Sequence, residues 1–176
     1  QEPEKLFNGL HKILVNSDFN IANFEAPIPE ENHLPIKKIG PALRNDKNLV
    51  EILKKSNFQA LGLANNHILD YGQAAVVSTI NNLNDENIES FGAGLNKIEA
   101  KKPLFIEVGN RIIGLLAYAE HEFNLAGKNS AGANWFNTSE SYDDIKLAKG
   151  KCDYLIVLFH GGIEYHAYPS PLLQQK

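Results

Sequence analysis

Glu25, Asn66, His67 and His160 are residues of the kinds that bind divalent metal or move protons, and each stands at or just beyond an apolar run that reads as a strand. Glu25 closes Asn23-Phe24-Glu25. Asn66 and His67 belong to Asn65-Asn66-His67-Ile68-Leu69-Asp70, and His160 opens His160-Gly161-Gly162-Ile163-Glu164-Tyr165. A carboxylate, a side-chain amide oxygen and imidazole nitrogens together are borderline-hard donors suited to Mn, Zn or Fe and to metal-assisted attack by water. In open α/β sheets ligands bind beyond the carboxyl ends of the strands, so the three clusters are expected to converge on one sheet edge.

Each of these residues also has a plain structural role open to it. Glu25, before Ala26-Pro27, reads equally as an exposed loop acid, and Asn65 and Asn66 as short amides satisfying strand-end carbonyls. His67 alone is compatible with a hydrogen-bonded histidine without chemistry. Asp70, three residues ahead of Gln73, is expected to cap the following helix rather than bind metal. His160 follows five apolar residues and precedes two glycines, where backbone approaches a ligand closely, and this favours function. Glu164 reads as a partner of His160 or as a rim carboxylate. His121, between Glu120 and Glu122, reads as part of a solvated loop, and His166 as part of a lid. Cys152 reads as a partly buried thiol. Gly92-Ala93-Gly94 reads as a turn that can take positive φ, and its two glycines resemble half of a phosphate loop only weakly, without GxxxxGK(S/T) or a full GxGxxG.

The elements that must position these groups follow from periodicity. Amphipathic helices are expected over 4–16, 46–57, 72–84 and 138–149, and strands over 18–24, 58–64, 88–91, 104–108, 111–119 and 154–159. Gly109-Asn110 joins two of the strands as a tight hairpin. Residues 26–45, with four prolines, read as a long irregular loop, a kind that is functional or mobile. The run Tyr154 to Phe159 is apolar on both faces and is expected inside a covered sheet. Alternation of helix and strand predicts an α/β fold with a mainly parallel sheet. The 176 residues, 43% hydrophobic with a net charge of −4, make one domain without an internal boundary. One cysteine gives no disulfide framework, and no run of about 18 apolar residues offers a membrane span. With 15 Lys and 2 Arg scattered singly or in pairs, the chain lacks the basic stripe a nucleic-acid partner needs.

The chain resembles the bacterial capsule-synthesis CapA family, also called the poly-γ-glutamate capsule family, within the calcineurin-like metallophosphoesterase superfamily. The most specific segment is Leu63-Ala64-Asn65-Asn66-His67-Ile68-Leu69-Asp70-Tyr71-Gly72. It is supported by Asn23-Phe24-Glu25, by Gly92-Ala93-Gly94 with Glu99-Ala100 and Pro103, by Gly114 to Tyr118, and by His160 to Tyr165 with Pro169. The resemblance implies a layered α/β/β/α sandwich. It implies metal ligation by Glu25, Asn66 and His160, and a leaving group steadied or protonated by His67. Asn23, Asn65, Asp70, Glu164 and Tyr165 are implied as substrate-side or supporting residues.

The cofactor implied is one or two divalent ions of Mn, Zn or Fe, bound weakly or not at all by this stretch alone. The family pattern includes a Gly-Asp strand before the position of Gln1 and a His-x-His segment after that of Lys176, neither of which this sequence contains. Gly161 replaces a tryptophan of the family pattern. The implied activity is phosphoester hydrolysis in capsule or poly-γ-glutamate synthesis, on a phosphoester or anionic polymer. The alternative is a non-catalytic binding or assembly factor for an anionic cell-surface polymer. The partner implied is a capsule-synthesis membrane complex; members of the family are often membrane-anchored and extracytoplasmic, with the anchor upstream of this stretch, and the residues themselves assign no location.

Overall fold

The computed structural model describes residues 3–163 and 165–175. Its elements run α1 (Pro3–Leu6), α2 (His11–Asn16), β1 (Ile21–Asn23), α3 (Asn48–Lys55), β2 (Ala60–Gly62), α4 (Gly72–Asp85), β3 (Glu89–Phe91) and β4 (Ala93–Gly94). They continue with α5 (Lys97–Ala100), β5 (Leu104–Val108), β6 (Arg111–Ala119), β7 (Gly132–Ala133), α6 (Thr138–Lys149), β8 (Tyr154–His160) and α7 (Pro171–Gln174). Three sheets form: a parallel one ordered β1-β2-β3, a mixed one ordered β5-β6-β8, and a short antiparallel pair of β4 with β7.

The layering follows from alternation along β6. Leu115, Ala117 and Ala119 face one core with Leu61, Leu63, Val50 and Val76, whereas Leu116 and Tyr118 face the other way onto Ala148 and Ile145 of α6. The order is therefore helices α3 and α4, the first sheet, the mixed sheet, then α6. The two sheets approach so closely at Gly92 that a Cβ there would lie 2.6 Å from the Ala117 Cβ, and its φ of 84° also favours glycine. Gly92 takes the positive φ expected of a turn there, while Ala93-Gly94 is sheet backbone pressed against its neighbour.

Two expectations are corrected. The helix expected over 4–16 is broken where Gly9 takes a φ of 84°. Of its intended inner face only Leu14 packs on the core, while Leu6, Leu10 and Ile13 stay exposed. Strand β8 was expected to be covered on both faces, but it pairs with β6 alone among the described residues. At that edge Tyr154, Ile156, Val157 and Phe159 are exposed, and only Leu155 and Leu158 pack inward.

The 26–45 loop is irregular but anchored. Ser78 donates to the Ile28 carbonyl, the Ile28 N–H donates to Thr79, and Asn45 Nδ2 donates to the carbonyls of Glu25 and Ala26. Among the described residues no helix is long and apolar enough to cross a membrane.

Candidate active site

The ends of β1, β2 and β8 meet at a cleft of about 470 Å³ lined by Glu25, Asn66, His67, Glu120, Glu122, His160 and His166 among others. The chain arrives at Glu25 through Phe24, whose N–H extends the β1–β2 ladder to Gly62, and turns sharply at Ala26, with a φ of 73°. Asn65 holds that turn. Fully buried, it donates through Nδ2 to the carbonyls of Phe24 (2.9 Å) and Leu63 (3.2 Å), and its Oδ1 accepts from the N–H groups of His67 (3.1 Å) and Ala26 (3.5 Å). Asn65 thus shapes the floor and leaves Asn66 and His67 to face the cleft.

Asp70 does not cap α4. Tyr71 occupies the N-cap without a side-chain bond, and Gln73 accepts from Ala131 instead. The carboxylate of Asp70, fully buried, takes His67 Nδ1 on Oδ2 at 2.7 Å, the Leu43 N–H on Oδ2 at 2.7 Å and the Lys38 ammonium on Oδ1 at 2.5 Å. A histidine tied in this way through Nδ1 presents Nε2 in a fixed direction. Here Nε2 lies 3.9 Å from Glu25 Oε1.

Across the cleft, His160 Nε2 lies 3.0 Å from Asn66 Oδ1 and 3.9 Å from Glu25 Oε1. Donors sharing one ion at about 2.1 Å stand roughly 3 to 4 Å apart, so the donor types of Glu25, Asn66 and His160, and the separations of His160 from the other two, suit one divalent cation. Among the described residues no group of three or more His, Cys, Asp or Glu forms a metal site, so the shell they offer is partial.

The remaining expected residues fall in different places. Asn23 is exposed on β1 and lines a neighbouring crevice of about 170 Å³ beside Gly62 and His160. Tyr165 is fully exposed and is not among the residues that line the cleft. Glu164 lies outside the described residues. His121 packs edge-on against Trp135, and Cys152 donates to the Ala148 carbonyl from a half-buried position.

Glu120, Glu122 and Lys38 escaped the sequence reading as site residues. Glu120 lines the cleft and accepts from the Gly162 N–H at 2.8 Å, because the parallel register that pairs Ala119 with His160 sets Glu120 beside the turn after β8. A Cβ on Gly161 would come within 2.8 Å of the Glu120 Cβ and 2.9 Å of the Phe159 ring, so the absence of a side chain there lets the two segments close. Lys38 reaches Asp70 from the irregular loop, where no periodicity marked it.

A sequence model of the family described as "Bacterial capsule synthesis protein PGA_cap" matches residues 1–175. The chain belongs to this family. It is 28% identical over 175 residues to the PGA biosynthesis protein CapA of Bacillus subtilis (strain 168), covering 98% of this chain and 46% of that protein. It is 29% identical over 180 residues to the capsule biosynthesis protein CapA of Bacillus anthracis, covering 94% of this chain and 42% of that protein. The chain therefore spans a little under half the length of these curated relatives. A crystal structure of a Staphylococcus aureus protein provisionally described as a 5′-nucleotidase, in complex with α-ketoglutarate, aligns with 68% of this chain and 24% of its own. The identity is 19% and the TM-score 0.48.

Proposed function

We propose that the cleft is the site of a metal-dependent phosphoester hydrolase acting in capsule or poly-γ-glutamate biosynthesis. The observation that supports this most is the meeting of Glu25, Asn66, His67 and His160 at one opening, with His67 oriented by a buried carboxylate. Glu25, Asn66 and His160 would hold a divalent ion, which when bound supplies charge to a phosphoryl oxygen and lowers the pKa of a bound water. As the imidazolium, His67, fixed through Nδ1, is placed to give its Nε2 proton to a departing oxygen. Glu120 holds the Gly161-Gly162 turn and so steadies the wall carrying His160.

Among the described residues no lysine or arginine lines the cleft, and Glu25, Glu120 and Glu122 do. A phosphoester or anionic polymer would thus be drawn in by a bound cation rather than by the protein's own charge. The partial metal shell among the described residues supports a second reading, a factor that binds or helps assemble an anionic surface polymer through a bound cation, within a capsule-synthesis membrane complex, without turning it over.

Elemental analysis of the whole protein, paired with assays on a generic phosphomonoester and phosphodiester, tests the proposal. Bound metal and turnover, both lost in Asn66→Ala, support the hydrolase. A metal-free, inactive protein with an unchanged Asn66→Ala variant overturns it. His67→Gln should lower turnover while leaving metal occupancy the same, and equal loss of metal would make His67 a ligand instead.

A further inference from the structure

We propose that Lys38 is a positioning residue for His67, acting through Asp70. Its consequence for turnover rests on the hydrolase reading, whereas its effect on the imidazole does not.

The Lys38 side chain is 8% exposed although it stems from an irregular loop, and its ammonium reaches Asp70 Oδ1 at 2.5 Å and His67 Nδ1 at 3.2 Å. The Phe123 ring lies on another side, 5.1 Å from Nζ to its centroid. An ammonium has donors only, and Nδ1 stands 2.7 Å from Asp70 Oδ2, a separation that requires a proton between them. Lys38 and Nδ1–H are therefore two donors turned toward one carboxylate. The Lys38–His67 approach is not a hydrogen bond but a result of that sharing.

An isolated carboxylate buried as fully as Asp70 is strongly disfavoured unless paired, and Lys38 is its counterion. The ammonium also occupies Oδ1. That leaves Oδ2 to His67 and to the Leu43 N–H, so the ring is held in one orientation and one tautomer, with Nε2 toward Glu25. The loop is locked by the same contacts, since the Ile36 N–H donates to the Asp70 carbonyl at 2.9 Å. Lys38 thus couples the folding of the 26–45 loop to the aim of His67, without touching substrate.

Selective ¹⁵N-histidine labelling of the protein reads this directly, with the His67 signals assigned by their loss in His67→Gln. At alkaline pH the wild type should show a single Nδ1–H tautomer for His67. Lys38→Met should shift the two ring nitrogens toward a tautomer mixture, and Lys38→Arg should restore the wild-type pattern. A folded Lys38→Met with the wild-type tautomer overturns the proposal.

Should Lys38→Met fail to fold, the wild-type ammonium decides the matter. Its protons should exchange slowly and show cross-relaxation to the Phe123 ring, and exchange as fast as at exposed Lys55 overturns the assignment. In turnover, Lys38→Met should lose about tenfold in kcat at constant KM, with recovery in Lys38→Arg. An absence of turnover in every form, wild type included, would overturn the hydrolase reading alone, because the imidazole spectrum still decides the role of Lys38.

Discussion

On one side of the cleft, Asn65 and Asp70 are fully buried, and each oxygen of Asp70 and both polar atoms of Asn65 have partners drawn from the floor or from the 26–45 loop. On the other side, His160 to Ile163 finish an edge strand, and the wall is held by the contact of His160 with Asn66 and the bond from the Gly162 N–H to Glu120. The two walls face one another and contribute donors to the same space, yet only the first has its geometry imposed by burial. In a low-dielectric surrounding an unpaired polar group is costly, so Asn65 and Asp70 admit few arrangements. Glu120, exposed, and His160, partly exposed, can exchange a protein partner for water at smaller cost.

The contrast breaks first at Asp70. Asp70→Ala leaves the Lys38 ammonium buried without its anion, and the expected loss is about 3–5 kcal/mol in denaturant unfolding. A loss under about 1 kcal/mol would mean that burial does not set this wall. Next comes Asn65→Ala, which orphans the N–H of His67 and the carbonyl of Phe24. It is expected to cost about 1–3 kcal/mol in the same measurement, with increased amide exchange at Ala26 and His67.

A third test bears on the sheet behind the open wall. Burial, with the Asp144 carboxylate adding to it, pushes the Tyr118 phenol up to about 12. The folded state then keeps a proton that the unfolded chain releases near pH 10, so stability should fall as pH rises from about 10 to about 12. Tyr118→Phe should flatten that decline, and an unchanged slope would show that the phenol is not its source.

Smaller effects are expected on the open wall itself. Gly161→Ala should cost about 1 kcal/mol, because Glu120 has solvent to move into, but it should release the Gly162 amide to exchange. The smallest effect belongs to Ile156→Lys on the exposed strand, within about 0.5 kcal/mol by unfolding midpoint. A loss several times larger would show that this surface is covered in solution.

Much of the scaffold was legible from residue order. Repeated helix and strand periods predicted the parallel pairing seen in β1, β2 and β3 but not the division of the strands among three sheets, and the Gly109-Asn110 turn predicted the β5–β6 hairpin. The Asn65–Asp70 cluster stood out because so many polar residues seldom follow an apolar strand without purpose. Misreadings arose where local signals had several physical outlets. Asp70 carries the same sequence signature whether it caps a helix or binds a histidine and a lysine, and only the distance to Lys38 separates the two. The apolar run of β8 is compatible with a central or an edge position, since periodicity reports what a side chain is but not what lies beside it.

The sequence by itself determined the donor types, their positions after strand ends and the family, because these depend on residue identity and near-neighbour spacing. Residue order also predicted that Glu25, Asn66 and His160 converge, as they do in one cleft, but tertiary structure alone decided that Glu120 joins them through the β6–β8 register and that Lys38 neutralises Asp70 behind His67. These contacts join segments tens of residues apart. Their energies depend on burial and on distances of a few ångströms, which the order of residues does not encode locally.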